Sequence, residues 1–134
     1  MTTNIPEQAI NDQVSDANCT VAHLKQTVQQ FADDRDWRQF HTPKNLSMAI
    51  ASEAAELMEH FLWTESRDSL ACVNDPVKLE QTREELADIA IYCLQLANVL
   101  NVDLSAAILS KNAANARKYP VQKARGSAAK YNEL

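Results

Sequence analysis

The sequence predicts an all-α fold of four main helices in a bundle-like subunit. Apolar residues recur at three- and four-residue steps through several long stretches. No stretch alternates apolar with polar residues as a half-buried strand does, and no repeat of 20 to 50 residues is present. Capping residues followed by proline (Thr42-Pro43, Asp75-Pro76) punctuate the helical stretches where helices should begin. At 134 residues the chain is read as one domain, long enough for a sizeable helical core.

Residues 1–15 carry Pro6 and polar amides and are read as a loose, flexible N-terminal arm. The first helix is expected from Ser15 or Asp16, either a suitable N-cap, to about Asp34, with Val21, Leu24, Val28 and Phe31 as its buried stripe. The connection Arg35 to Pro43 holds two aromatics and a histidine. Phe40 is read as a core plug, and Trp37 as either a second plug or a flat face for a ligand. A second helix should run from Pro43 to about Trp63, placing that tryptophan where it overhangs a cavity. His60 is read as polar surface, and Glu59 drifts off the inner face. After a polar connection, a third helix spans Pro76 to about Leu100. A fourth, capped by Asp103, is stopped by Pro120 near Tyr119. Lys111, Asn115 and Lys118 share one polar face of it. The expected domain thus covers 16–120, and 121–134 forms a basic, flexible tail.

Two pairs of acids interrupt the apolar stripes. Glu53 and Glu56 lie on the second helix. Glu85 and Asp88 lie on the third, in line with Ile89, Tyr92 and Leu96. An unpaired buried carboxylate is very costly, so acids gathered there must be protonated, paired or bound to a cation. Lys78 and Arg83 point elsewhere on the helix. A hard divalent ion, Mg²⁺, is the expected counter-charge, since neither Cys nor His joins the quartet at a zinc-like spacing.

The bulk numbers exclude several classes. A net charge of -5 argues against binding a nucleic acid polymer or an anionic membrane. A single glycine, Gly126, excludes both a Walker P-loop and a dinucleotide-binding Gly-rich turn. Cys19, Cys72 and Cys93 have no paired spacing and are read as free thiols. No signal or membrane-spanning pattern is read, so the expected setting is cytoplasmic. A di-iron carboxylate bundle would need Glu-x-x-His pairs, but residue 59 is Glu and residue 91 is Ile. A helical module whose acids grip a basic partner is the non-enzymatic alternative.

The chain resembles the MazG-like, all-α NTP pyrophosphohydrolases, and within them the dCTP pyrophosphatase branch. The motifs are Phe31-Ala-x-x-Arg35-Asp36-Trp37-x-Gln39-Phe40-His41-x-Pro43-x-Asn45-Leu46, Glu53-x-x-Glu56, Trp63 and Glu84-Glu85-Leu86-x-Asp88-x-x-x-Tyr92. Val102-Asp103-Leu104, Ser110-Lys111-x-x-x-Asn115-x-x-x-Tyr119-Pro120-Val121 and Arg125-Gly126-Ser127-Ala128-x-Lys130-Tyr131 continue the likeness. The resemblance implies a homotetramer, a dimer of dimers, that splits a nucleoside triphosphate into monophosphate and pyrophosphate. Removal of surplus or modified dCTP and broad NTP/dNTP turnover are its two substrate readings. By the same resemblance Glu53, Glu56, Glu85 and Asp88 hold Mg²⁺, with Glu53 or Glu56 activating water. Trp37 and Trp63 correspond to aromatics around the base, and Tyr92, Lys111, Asn115 and Lys118 to sugar- or phosphate-facing positions. The chain departs from the branch at Val28, where a histidine can stand, and at Lys118, where an arginine can; there the charge survives without bidentate geometry.

Overall fold

Each main helix begins at a residue whose side chain satisfies backbone N–H groups that the helix itself leaves unpaired. In the computed structural model, which describes residues 14–133, α1 spans Val21–Asp33 and Thr20 Oγ1 accepts from the His23 N–H at 3.1 Å. The helix α2 spans Pro43–Glu59 with Thr42 as its cap, and α3 spans Pro76–Val99 with Asp75 accepting from Val77 and Lys78. The helix α4 spans Leu104–Lys118, capped by Asp103, and one further turn, α5, spans Val121–Ala124. Short 3₁₀ segments at Trp37–Phe40 and Ser66–Asn74 fill the connections. Among the described residues there is no strand, in keeping with the all-α expectation. The expected N-terminal arm falls almost wholly outside the described residues.

Several boundaries differ from expectation. Ser15 and Asp16 lie in a separate turn, where the Ser15 N–H donates to Asn18 Oδ1 at 2.7 Å, and the first helix starts only after Thr20. The second helix stops at Glu59, so Trp63 sits beyond it in a run of turns. After Pro120 the chain forms α5, and Tyr131 then meets Tyr119 edge-on at 6.2 Å.

The chain divides into two units, 1–101 and 102–134. In the first, α2 and α3 make the most extensive pairing and α1 packs on α3. Two side-chain amides tie that second seam: Asn98 Nδ2 donates to the Lys25 carbonyl at 2.9 Å and Gln95 Nε2 to the Val28 carbonyl. The buried apolar residues among those described are few: Ala32, Leu46, Leu94 and Ala97. The stripe expected on α1 is only partly covered, with Leu24 41% and Phe31 49% exposed. Its amphipathic period marks a face that wants cover, but Ala32 is the residue of α1 that is buried. In the second unit, α4 carries its basic and amide side chains on a largely exposed helix. Among the described residues no single helix is long and apolar enough to cross a membrane.

Candidate active site

The pairing of α2 with α3 turns two acidic motifs toward each other. Glu53 and Glu56 are one turn apart on α2, and Glu85 faces them from α3. Glu53, Glu56 and Glu85 each bring a carboxylate oxygen within 4.8 Å of the others. Glu53 and Glu85 are half-buried, while Glu56 and Asp88 are exposed. Burial pushes the Glu53 carboxyl above its ordinary range, and the charges of Glu56, Asp88 and Glu85 push it further the same way. The cluster therefore carries an unbalanced negative field centred on Glu53.

The nearby cations are engaged elsewhere. Arg83 donates to Glu80 at 2.6 Å. Lys78 donates to Thr64 Oγ1 at 3.3 Å and lies 5.4 Å from the centre of the Phe61 ring. Among the described residues, His60 is the basic side chain that pairs with the cluster, its Nε2 3.7 Å from Glu85 Oε1. Contrary to the surface position expected of it, His60 is half-buried, and its Nε2 is buried without a hydrogen-bond partner. A donor set made only of carboxylate oxygens, with no thiol in it, fits a hard divalent cation such as Mg²⁺.

Beside the acids, α1, the Trp37–Phe40 segment, α2 and α3 enclose a cavity of about 510 Å³. Phe31, Trp37, Phe40, His41, Leu46, Ile91 and Tyr92 line it, and so does Asp88, the fourth expected ligand, which is not one of the three acids whose oxygens converge. The aromatic corner is built from local contacts. Arg35 stacks 3.6 Å over the Phe31 ring and donates to the Phe31 carbonyl at 3.0 Å. Trp37 meets Phe31 edge-on at 5.7 Å and His41 at 6.4 Å. Arg38 closes a forked ion pair on Asp33, with Nη2 to Oδ2 at 2.6 Å, which holds the Asp33 carboxyl down at about 2. Asn45 Nδ2 donates to the Phe40 carbonyl at 2.9 Å, tying the segment to α2. Asp36 turns the chain in the left-handed region (φ 54°), a conformation that Asp tolerates better than most residues. Phe40, expected as a core plug, is 58% exposed and forms part of the cavity wall instead.

The other residues singled out from sequence are placed as follows. Trp63 is 93% exposed and is not among the residues of this wall. Lys111 and Asn115 line a shallow depression on α4 with Ile108 and Asn112. Lys118 lies with its Nζ 5.2 Å over the Tyr131 ring. The sequence reading put His60, which lies beside Glu85, on the surface, and passed over Gln95, buried on the cavity wall. A polar residue at a buried position of the α3 stripe is the signal that could have found Gln95.

Comparison with known proteins agrees with this picture. The profile of the MazG-like family matches residues 48–134. dCTP pyrophosphatase 1 of Bos taurus is 41% identical over 115 residues, which are 86% of this chain and 68% of that protein. dCTP pyrophosphatase 1 of Homo sapiens is 40% identical over the same span. The crystal structure of a pyrophosphatase from Archaeoglobus fulgidus is similar in fold and sequence, with a TM-score of 0.70 and 36% identity. The match covers 81% of this chain and 99% of that one.

Proposed function

The chain belongs to the MazG-like family, and on that premise we propose that it is a pyrophosphohydrolase converting dCTP to dCMP and pyrophosphate. The observation that carries this is Asp88, a wall residue of the aromatic cavity whose charge acts on Glu53 in the acidic cluster. A base and a polyphosphate chain need such an arrangement: an apolar aromatic slot at one end and a cation-holding end at the other.

In this reading Glu53, Glu56, Glu85 and Asp88 hold Mg²⁺. When bound, the ion neutralises triphosphate oxygens and acidifies a water. The acids of α2 supply the proton chemistry: Glu53 or Glu56 takes the proton that the attacking water loses. Water adds across the α–β phosphoanhydride, and the leaving pyrophosphate carries off the electron pair of the broken P–O bond. Trp37 and Tyr92 line the base and sugar end. Stacking on an aromatic face is worth about 1–3 kcal/mol per base and selects little between bases. Lys111, Asn115 and Lys118 are proposed as phosphate- or sugar-facing, and Trp63 as a second aromatic at the base. The free thiols suit a cytoplasmic setting.

We also propose a homotetramer. Met58, Leu62 and Trp63 in the first unit, and Ile108 and Leu109 in the second, are each more than half exposed, apolar side chains that a second copy of the chain would cover. Light scattering on the purified chain reads this directly.

The decisive assay is pyrophosphate release from dCTP with Mg²⁺. Turnover abolished by Glu85→Ala supports the reading, and turnover unchanged by it rejects it. Unmodified and 5-modified dCTP, tested with the other triphosphates, distinguish a dCTP enzyme from a broad one.

A further inference from the structure

Gln95 is 3% exposed, a large uncharged polar side chain on the wall of a mostly apolar, aromatic cavity. Its amide cannot flip without loss. Nε2 donates to the Val28 carbonyl, and a carbonyl only accepts, so the nitrogen must face α1 and the oxygen must face away. Asn98 makes the parallel bond to the Lys25 carbonyl one turn further along, which fixes the seam at a second point. Gln95 Oε1 is then buried and, among the described residues, receives no hydrogen bond. Most buried polar side-chain atoms are paired, so a fixed, unpaired acceptor on a cavity wall marks a place for a donor on the occupant. His41 Nδ1, on the same wall, is buried and unpartnered as well.

The position along the helix matters. Asp88, Tyr92 and Gln95 follow one face of α3 at steps of four and three residues, all on the cavity wall. At 1.5 Å per residue, Gln95 lies about 10 Å along the helix from the acidic end. A nucleotide with its phosphates at the acids therefore carries its base edge toward Gln95.

Building on the pyrophosphohydrolase reading, we propose that Gln95 sets base specificity by accepting a hydrogen bond at Oε1 from the exocyclic 4-amine of a pyrimidine. A 4-keto pyrimidine of the same size presents an oxygen there instead. Two acceptors then face each other in a buried site, and the amide oxygen stays unpaired. Discrimination against an analogue that lacks the needed hydrogen bond is the outcome such sites give.

The test compares kcat/KM for dCTP, dUTP and the triphosphate of the 4-deamino base, pyrimidin-2-one, in wild type and in Gln95→Met, which keeps the volume. In the wild type, dCTP is preferred over both by about 10- to 100-fold. In Gln95→Met that preference collapses toward unity, mainly through loss on dCTP. A Gln95 that merely ties α1 to α3 lowers all three in parallel, and an unchanged ratio overturns the proposal. Should the variant not fold, the wild-type comparison still decides: equal kcat/KM for dCTP and its 4-deamino analogue overturns it. Hydrolysis of dCTP with an unaltered ratio defeats this inference alone, whereas no hydrolysis of any triphosphate defeats the pyrophosphohydrolase reading and this with it.

Discussion

His60 Nε2 stands 3.7 Å from Glu85 Oε1, across the seam where α2 ends and the acidic turn of α3 begins. That is too long for a hydrogen bond and too short for the two groups to ignore each other. The nitrogen is buried with no partner, so a small movement of Glu85 toward it would satisfy both. Partners of this kind orient metal-ligating carboxylates, and their loss costs about 10- to 100-fold in metal affinity. His60→Ala should weaken Mg²⁺ binding by that order, measured by calorimetry, with the far-UV dichroism unchanged. His60→Gln, which keeps a donor at similar reach, should recover part of it.

Glu53 gives a pH signature. Its carboxyl is raised above the ordinary 4.5 by burial and then by Glu56, Asp88 and Glu85. A raised carboxylate stabilises the fold below its unfolded value, and that contribution is lost as pH rises through the folded value. In EDTA, the melting temperature should therefore fall as pH climbs from 4.5, and Glu53→Gln should remove that part of the slope. The same variant should be neutral or stabilising at pH 7 while losing activity. A large destabilisation would contradict the repulsion argument.

Asp33 runs the other way. The Arg38 hydrogen bond holds it at about 2 rather than 3.8, so its contribution is present above 3.8 and is lost as pH falls toward 2. Arg38→Ala should flatten the acid limb of the stability curve. It should also raise KM for the nucleotide more than it lowers kcat, because the pair anchors the segment that carries Trp37. A variant with unchanged KM would show that the segment needs no such anchor.

Asp75 caps the helix that bears Glu85 and Asp88, accepting from two backbone N–H groups at 3.0 and 3.1 Å. Asp75→Ala should cost about 1 kcal/mol in chemical denaturation. With the acids a further two turns or more along, kcat should change little.

The parts of this molecule that were legible in sequence are local ones. Thr42-Pro43, Asp75-Pro76 and Asp103 cap helices because a side chain reaching its own backbone needs only its neighbours. The approach of Glu53, Glu56 and Glu85 was also legible, since acids repeated on two apolar stripes have few other arrangements. The start of α1 was misplaced because Ser15 and Thr20 are both good caps; the chain uses one for a turn and one for the helix. His60 was misplaced on the surface and Gln95 passed over for a different reason. Each owes its role to the register between two helices, which the period of either helix alone does not encode.

Asp88 lines the aromatic slot, and its charge reaches Glu53 of the acid cluster. With Mg²⁺ at the acids and a base in the slot, as proposed, any coupling carried by Asp88 is reciprocal: whatever the base gains from the ion, the ion gains from the base. The apparent dissociation constant for Mg²⁺ then becomes a gauge of which nucleobase is seated, readable without following turnover at all.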